Sequence, residues 1–288
     1  MIRRAAVVGG AGAVGRLLTG RLLASGAEVT VIDTAASHDA PGARYVRGDI
    51  TAPGFRVGAE VGHADLVVLA LPETAALAAV PEVACELRPD AVLVDTLSVK
   101  QPITRAVRDA APGVQAVGLN PMFAPSLGFE GRPVAAVVGH DGPRAGEVLR
   151  LVEEWGARIV RVGAREHDRI AAAVQALPHA AVLGFGLALR ALDVPVADVA
   201  ALAPPPANTL LALLARITSG SPEVYGDVQG ANPEAAAARS ALDEALRRLA
   251  EATGDAAAFT ALLADARAAL GTGLDHHRDT CARLFQHV

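Results

Sequence analysis

Up to Val162 the chain alternates two textures. Short, nearly unbroken apolar runs ("RAAVVGG", "EVTVID", "ADLVVLAL", "AVLVDTL", "QAVGLN", "PVAAVVG", "RIVRVG") are separated by longer stretches with helical spacing, such as Ala13–Ser25, Thr74–Leu87 and Pro143–Trp155. Strands buried on both faces read as continuous apolar runs, and strand–helix alternation predicts a mostly parallel sheet covered on both sides. After Val162 the strand texture stops. "EHDRIAAAVQALPHAAVLGFGLALRAL", "PANTLLALLARIT", "NPEAAAARSALDEALRRLAEAT" and "DAAAFTALLADARAAL" all have helical character. The change predicts a boundary near Gly163–Arg165, with an α/β domain over residues 1–164 and an all-α domain over 165–288. The tripeptide Pro204–Pro206 is too short for a linker and reads as a helix start.

Composition narrows the classes. Apolar residues make up 52% of the chain and aromatics only 3%, so alanine, valine and leucine must fill the core. The net charge is -5 and no basic stripe is visible, which argues against nucleic acid as a partner. Cys85 and Cys281 are isolated, as expected of reduced thiols in a cytoplasmic protein rather than a disulfide frame or a metal site. The basic start "MIRR" suggests a signal peptide, but glycines interrupt the apolar run that follows, which reads better as a first strand. No segment is expected to cross a membrane.

The first strand runs into Gly10-Ala11-Gly12-Ala13-Val14-Gly15, and a helix begins there. In a dinucleotide-binding turn the first glycine permits a tight turn, the second admits a pyrophosphate, and the third lets helix pack on strand. The helix N-terminus then faces the phosphate charge. The second strand ends at Asp33, where a carboxylate would accept from ribose hydroxyls and repel a 2′-phosphate. Together these predict a Rossmann-type domain holding NAD, with Gly10, Gly12, Ala13, Val14, Gly15 and Asp33 at the cofactor. Leu71-Pro72 ends another strand, either as a wall of the cofactor crevice or as a plain loop.

Candidate chemistry lies at later strand ends. "LVDTLSVKQPI" carries Ser98, and "GLNPMFAP" carries Asn120. Strand ends converge on one rim of such a sheet, so the two can be neighbours. Ser98 reads equally as a helix cap, and Asn120 as a turn residue before Pro121. In the helical half Gln175 and His179 are four apart on one face, with His167 about two turns earlier. Polar groups on an apolar helix suit a polar pocket. Arg216, on an otherwise apolar helix, suits a carboxylate held through two parallel hydrogen bonds, or a side chain that reaches solvent at a helix C-terminus.

These residues carry a resemblance. "GLNPMFAP" resembles the "GLHPMFGP" segment of prephenate dehydrogenases, and "DTLSVKQPI" is similar to their "D-x-x-SVK" strand end. "WGARIVRVGAREHDRIAAAVQALPHAAVLG" looks like their junction and first long helix. "LLARITSGSPEVYGDVQGANP", with Arg216, Tyr225 and Asp227, looks like their substrate-domain signature. The resemblance implies that Gly10, Gly12, Gly15 and Asp33 hold NAD, and that Ser98 and position 120 contact the substituent on ring C4. It further implies that Gln175 and His179 line the pocket and that Arg216 binds a substrate carboxylate. A homodimer through the helical domain is implied, with neither a fused chorismate mutase domain nor an ACT domain expected.

One position departs from the pattern. The family histidine that takes the C4 hydroxyl proton as hydride leaves is here Asn120, which cannot act as a base near neutral pH. An amine at C4 would not need that base, because its free lone pair expels hydride and the resulting iminium drives decarboxylation. The reading favoured by this residue is oxidation of 4-amino-4-deoxyprephenate to 4-aminophenylpyruvate, in an arylamine pathway. Two alternatives stay open. One is a prephenate or arogenate dehydrogenase in which His179 or water takes the proton. The other is a non-catalytic NAD-binding regulatory protein.

Overall fold

The computed structural model describes residues 1–37 and 40–286. The chain divides into two compact units, one ending at Ala171 and the other beginning at Ala172.

The first unit is an eight-stranded sheet. In chain order its strands are β1 (Arg4–Val8), β2 (Glu28–Asp33), β3 (Arg44–Arg47), β4 (Leu66–Leu69), β5 (Val92–Asp95), β6 (Gln115–Pro121), β7 (Pro133–His140) and β8 (Arg158–Arg161). They lie in the order β3-β2-β1-β4-β5-β6-β7-β8, and every pairing is parallel except β6 with β7. Helices α1 (Ala13–Ala24), α2 (Val57–Val61), α3 (Glu73–Glu86), α4 (Gln101–Ala110), α5 (Pro143–Glu154) and α6 (Ala164–Ala171) complete the unit. Successive strand residues feed opposite faces, so two cores form. Val7, Val31, Val68 and Val94 pack with Leu18, Leu22 and Val148 on one side. Val8, Ile32, Leu69 and Leu93 pack with Val80 and Ile103 on the other. Both faces are covered, as the continuous apolar runs predict.

The strand pattern read from sequence missed β3. Its "RYVR" has only two apolar residues between arginines, and as an edge strand it is buried only in part. Hydrogen bonding to β2 places it.

The second unit is helical among the described residues. It contains α7 (Leu177–Ala191), α8 (Val196–Leu202), α9 (Pro205–Thr218), α10 (Pro222–Gly230), α11 (Ala235–Ala252), α12 (Ala256–Ala268) and α13 (Leu274–Leu284). Pro205 opens α9, as the proline triplet predicts. The helical run Ala164–Ala191 corrects one expectation, because it is long and apolar enough to cross a membrane. Gln175 and His179 interrupt it with polarity but not with charge, and no charged residue lies between Arg169 and Arg190. The unit also leaves large apolar side chains exposed, among them Leu187 and Leu202.

Candidate functional site

In the sheet unit the glycine turn joins β1 to α1, whose first residues are Ala13 and Val14. A Cβ at Gly15 would stand 2.2 Å from the Gly9 carbonyl oxygen, and one at Gly10 would stand 2.6 Å from the Val31 side chain. Gly15 therefore lets helix approach strand, as its place in the motif predicts. The tight turn is not at Gly10, however. The positive φ, +78°, belongs to Gly9, where a Cβ would also strike the Ala70 carbonyl. The sequence reading missed Gly9 because it sits just outside the six-residue spacing. Gly12 has no positive φ, and its imagined Cβ meets only the Gly9 carbonyl oxygen, at 3.2 Å.

Asp33 ends β2 and is tied to this turn. Its carboxylate accepts from the Ala11 N–H at 2.9 Å and the Ala35 N–H at 3.0 Å. A cleft beside it is lined by Gly9, Ile32, Asp33, Ile50, Leu71 and Ala75. Leu71 thus lines the crevice, while Pro72 caps α3 with φ −55°. A glycine cradle, a helix N-terminus and a carboxylate at the neighbouring strand end together fit a dinucleotide.

The ends of β5 and β6 hold a buried polar network. Asp95 and Gly118 pair in register. Lys100 is fully buried, and its Nζ donates to Asp95 Oδ1 at 2.5 Å and to the Leu119 carbonyl at 3.0 Å. Burial pulls the Lys100 pKa below its ordinary value, and Asp95 counters only part of that. Gly118 makes room for this side chain, since a Cβ there would lie 2.9 Å from Lys100 Cδ.

Ser98 lies partly buried in the loop between β5 and α4. It is not the cap of α4, which has no side-chain cap at its own N-terminus. The Lys100 and Gln101 N–H groups instead donate to Asp168 of α6, at 2.7 and 2.9 Å. Among the described residues no hydrogen bond joins Ser98 to Asn120. Asn120 is buried, and it does not form a local turn bond either. Its Nδ2 lies 3.1 Å from Nε2 of His167, whose Nδ1 lies 2.8 Å from Asp168 Oδ1.

His167 thus joins the polar network at the ends of β5 and β6. Residues Ala172–Ala176, between it and His179, form a π-helical turn. Asp168 emerges as a site residue that the sequence reading did not single out. Its adjacency to His167 in "EHD" was the signal available.

In the helical unit Gln175 Oε1 and His179 Nδ1 are buried without a hydrogen-bond partner among the described residues. The His179 ring meets Tyr225 edge-on, with centroids 4.9 Å apart. Burial, and after it the Arg216 charge, hold the His179 pKa below its usual value. Arg216 occupies the last turn of α9 and is exposed. The desolvation argument for an obligatory anion therefore does not apply to it in the single chain. Among the described residues no carboxylate pairs with it, so it remains an available cation beside His179.

Residues 21–161 match the family described as prephenate dehydrogenase, nucleotide-binding domain, and residues 163–259 match prephenate dehydrogenase, dimerization domain. The chain is 54% identical to the 4-amino-4-deoxyprephenate dehydrogenase of Streptomyces pristinaespiralis over 98% of this chain and 96% of that protein. It is 33% identical to the T-protein of Enterobacter agglomerans over 79% of this chain and 56% of that longer protein. Among solved structures, the prephenate dehydrogenase of A. aeolicus in complex with hydroxyphenyl propionate and NAD+ superposes with a TM-score of 0.72. That match has 19% identity and covers 99% of both chains.

Proposed function

The chain belongs to the prephenate dehydrogenase family, and from that premise we propose that it oxidatively decarboxylates 4-amino-4-deoxyprephenate to 4-aminophenylpyruvate with NAD. The observation that carries the substrate choice is Asn120, buried at the end of β6 where the family motif has histidine. The 54% identity to a protein named for this substrate supports it. Asp33, already turned toward the glycine loop by its bond to Ala11, supports NAD over NADP by repelling a 2′-phosphate.

When bound, NAD supplies the hydride acceptor. Gly9, Gly10 and Gly15 let turn, strand and helix close on one another, Gly12 would leave the backbone open to the pyrophosphate, and Asp33 would accept from the ribose. Arg216 grips a substrate carboxylate, and the unpartnered Gln175 and His179 bond to the substrate's polar groups. Ser98 and Asn120 face the C4 substituent. The amine must reach this site unprotonated or lose its proton there. Its lone pair then pushes out the C4 hydride, giving a C4 iminium. Loss of the ring carboxylate as CO2 returns two electrons to the ring and restores a neutral aromatic amine. No side chain has to remove a proton from C4's substituent during hydride loss, so an amide is sufficient where a hydroxyl substrate profits from a base. The helical unit forms the homodimer, which accounts for its exposed Leu187 and Leu202 and for the apolar run ending at Ala191. A cytoplasmic location fits two exposed, unpaired cysteines.

The test compares prephenate with its 4-amino analogue. Wild type is expected to favour the amine strongly, and Asn120→His to raise turnover of prephenate and lower that of the amine. A positioned base contributes about 10²–10⁴-fold to such a step. A wild-type preference for prephenate would return the protein to the ordinary branch of the family.

A further inference from the structure

An asparagine side chain offers two chemically opposite ends, a carbonyl that accepts and an NH2 that donates. Which end Asn120 presents to a ligand is decided by what holds the other. Its Nδ2 stands 3.1 Å from His167 Nε2, and a contact between two nitrogens needs one N–H and one bare lone pair. The opposite ring nitrogen, Nδ1, stands 2.8 Å from Asp168 Oδ1. That carboxylate also receives the Lys100 N–H on Oδ1 and the Gln101 N–H on Oδ2. Burial pushes its pKa up, but the hydrogen bonds from His167, Lys100 and Gln101 outweigh burial and hold it below the usual carboxylate range. An ionised carboxylate only accepts, so Nδ1 of His167 carries the hydrogen. In the neutral ring Nε2 is then bare, and the Asn120 NH2 is the end that can fill it.

We propose that His167 and Asp168 are positioning residues that fix the Asn120 amide with its nitrogen turned to the imidazole, so that the carbonyl oxygen is the end offered to the C4 substituent. The chain of orientation runs from the start of α4, through Asp168 and His167 on α6, to the end of β6. Lys100 steadies the same strand end, because its Nζ holds the Leu119 carbonyl one residue before Asn120. A fixed acceptor suits an amine, which keeps an N–H to donate while its nitrogen lone pair stays free to form the C=N bond as hydride leaves. The opposite orientation would present a donor to that lone pair and oppose hydride loss. This meaning for selectivity rests on the aminated-substrate reading; the orientation itself does not.

Histidine-selective 15N labelling of the full-length protein, without substrate, reads the orientation directly, with His167→Gln identifying the resonance. The expected result is an Nδ1–H tautomer with a bare Nε2. An Nε2–H tautomer, or a doubly protonated ring at neutral pH, overturns the proposal whatever the substrate proves to be. The kinetic arm uses whichever substrate wild type prefers. His167→Phe is expected to lower kcat about tenfold, the loss of one oriented hydrogen bond, with the KM for NAD unmoved. His167→Gln keeps an acceptor and should recover most of that loss. In an Asn120→Ala background His167→Phe should cost nothing further. An equal loss in both backgrounds would show that His167 acts through something other than Asn120, and the proposal would fail. If wild type prefers prephenate, the substrate reading falls, while the tautomer and the double-mutant comparison still decide the positioning role.

Discussion

In the sheet unit Asp95, Lys100, Asn120, His167 and Asp168 are all buried, and each is hydrogen-bonded within the set. Among the described residues of the helical unit, Gln175 Oε1 and His179 Nδ1 are buried without partners and Arg216, which is exposed, forms no ion pair. The first arrangement is complete before any ligand arrives, and it holds strand ends and an amide in fixed geometry. The second carries desolvation that nothing in the unit offsets, so it gains by taking in a polar, anionic molecule. One unit spends its polar groups on preorganisation and the other keeps them available for binding. Mutations in the two should therefore fail differently.

The largest effect should come from breaking the completed network. Asp95→Asn leaves the Lys100 ammonium buried without its counter-charge, and removing one partner of a buried pair costs about 3–5 kcal/mol. Denaturant unfolding should show that loss. Since the folded pKa of Lys100 is already depressed by burial, the unfolded chain binds more protons than the folded one over the window between the two values. Stability of the variant should therefore rise with pH across that window. A variant as stable as wild type would mean that the pair is not needed.

Next comes Arg216→Ala, which should leave stability nearly unchanged but weaken substrate binding by about 2–5 kcal/mol, with NAD affinity unaffected. Lysine should rescue poorly for want of a planar fork. An unaltered KM for substrate would put Arg216 outside the binding surface and blur the contrast between the units.

Gln175→Leu sharpens the contrast at smaller scale. Removing an unpartnered buried carbonyl should leave thermal stability unchanged or raise it by about 1 kcal/mol, while activity falls. A clear loss of stability would mean that Gln175 is structural, like the groups of the sheet unit.

The smallest effect concerns acid. The folded pKa of His179 is lowered by burial and by Arg216, so it contributes nothing to the pH dependence at high pH, where the ring is neutral in both states. Below the unfolded value of about 6.5 the unfolded chain takes up the proton first, and stability is lost as pH falls toward the folded value. His179→Leu should flatten that part of the stability profile. An unchanged slope would assign the acid loss to other groups.

Local pattern was enough for much of the sheet unit. Six of the eight strands announce themselves as apolar runs, because a strand covered on both faces needs few polar positions, and "RIVRVG" marks β8 although it is an exposed edge strand. β3 does not, because its "RYVR" has only two apolar residues between arginines, and pairing with β2 is what places it. The glycine spacing and Asp33 were legible for the same local reason, since they sit within one strand–turn–helix–strand unit. Gly9 was hidden because backbone dihedral angle is not written in residue spacing.

What the sequence by itself determined, then, is the alternation that makes the sheet, the change to helix after Val162, the dinucleotide loop, and the presence of an amide where a base is usual. Tertiary structure alone decided who stands beside whom. Asp168 caps a helix that begins 67 residues earlier, at Gln101, and His167 meets Asn120 across 47 residues. The physical reason is that periodicity records only which side of an element is apolar. Hydrogen bonds depend on distances between elements, and on which proton each partner carries, and those are set when the sheet and its helices close on one another.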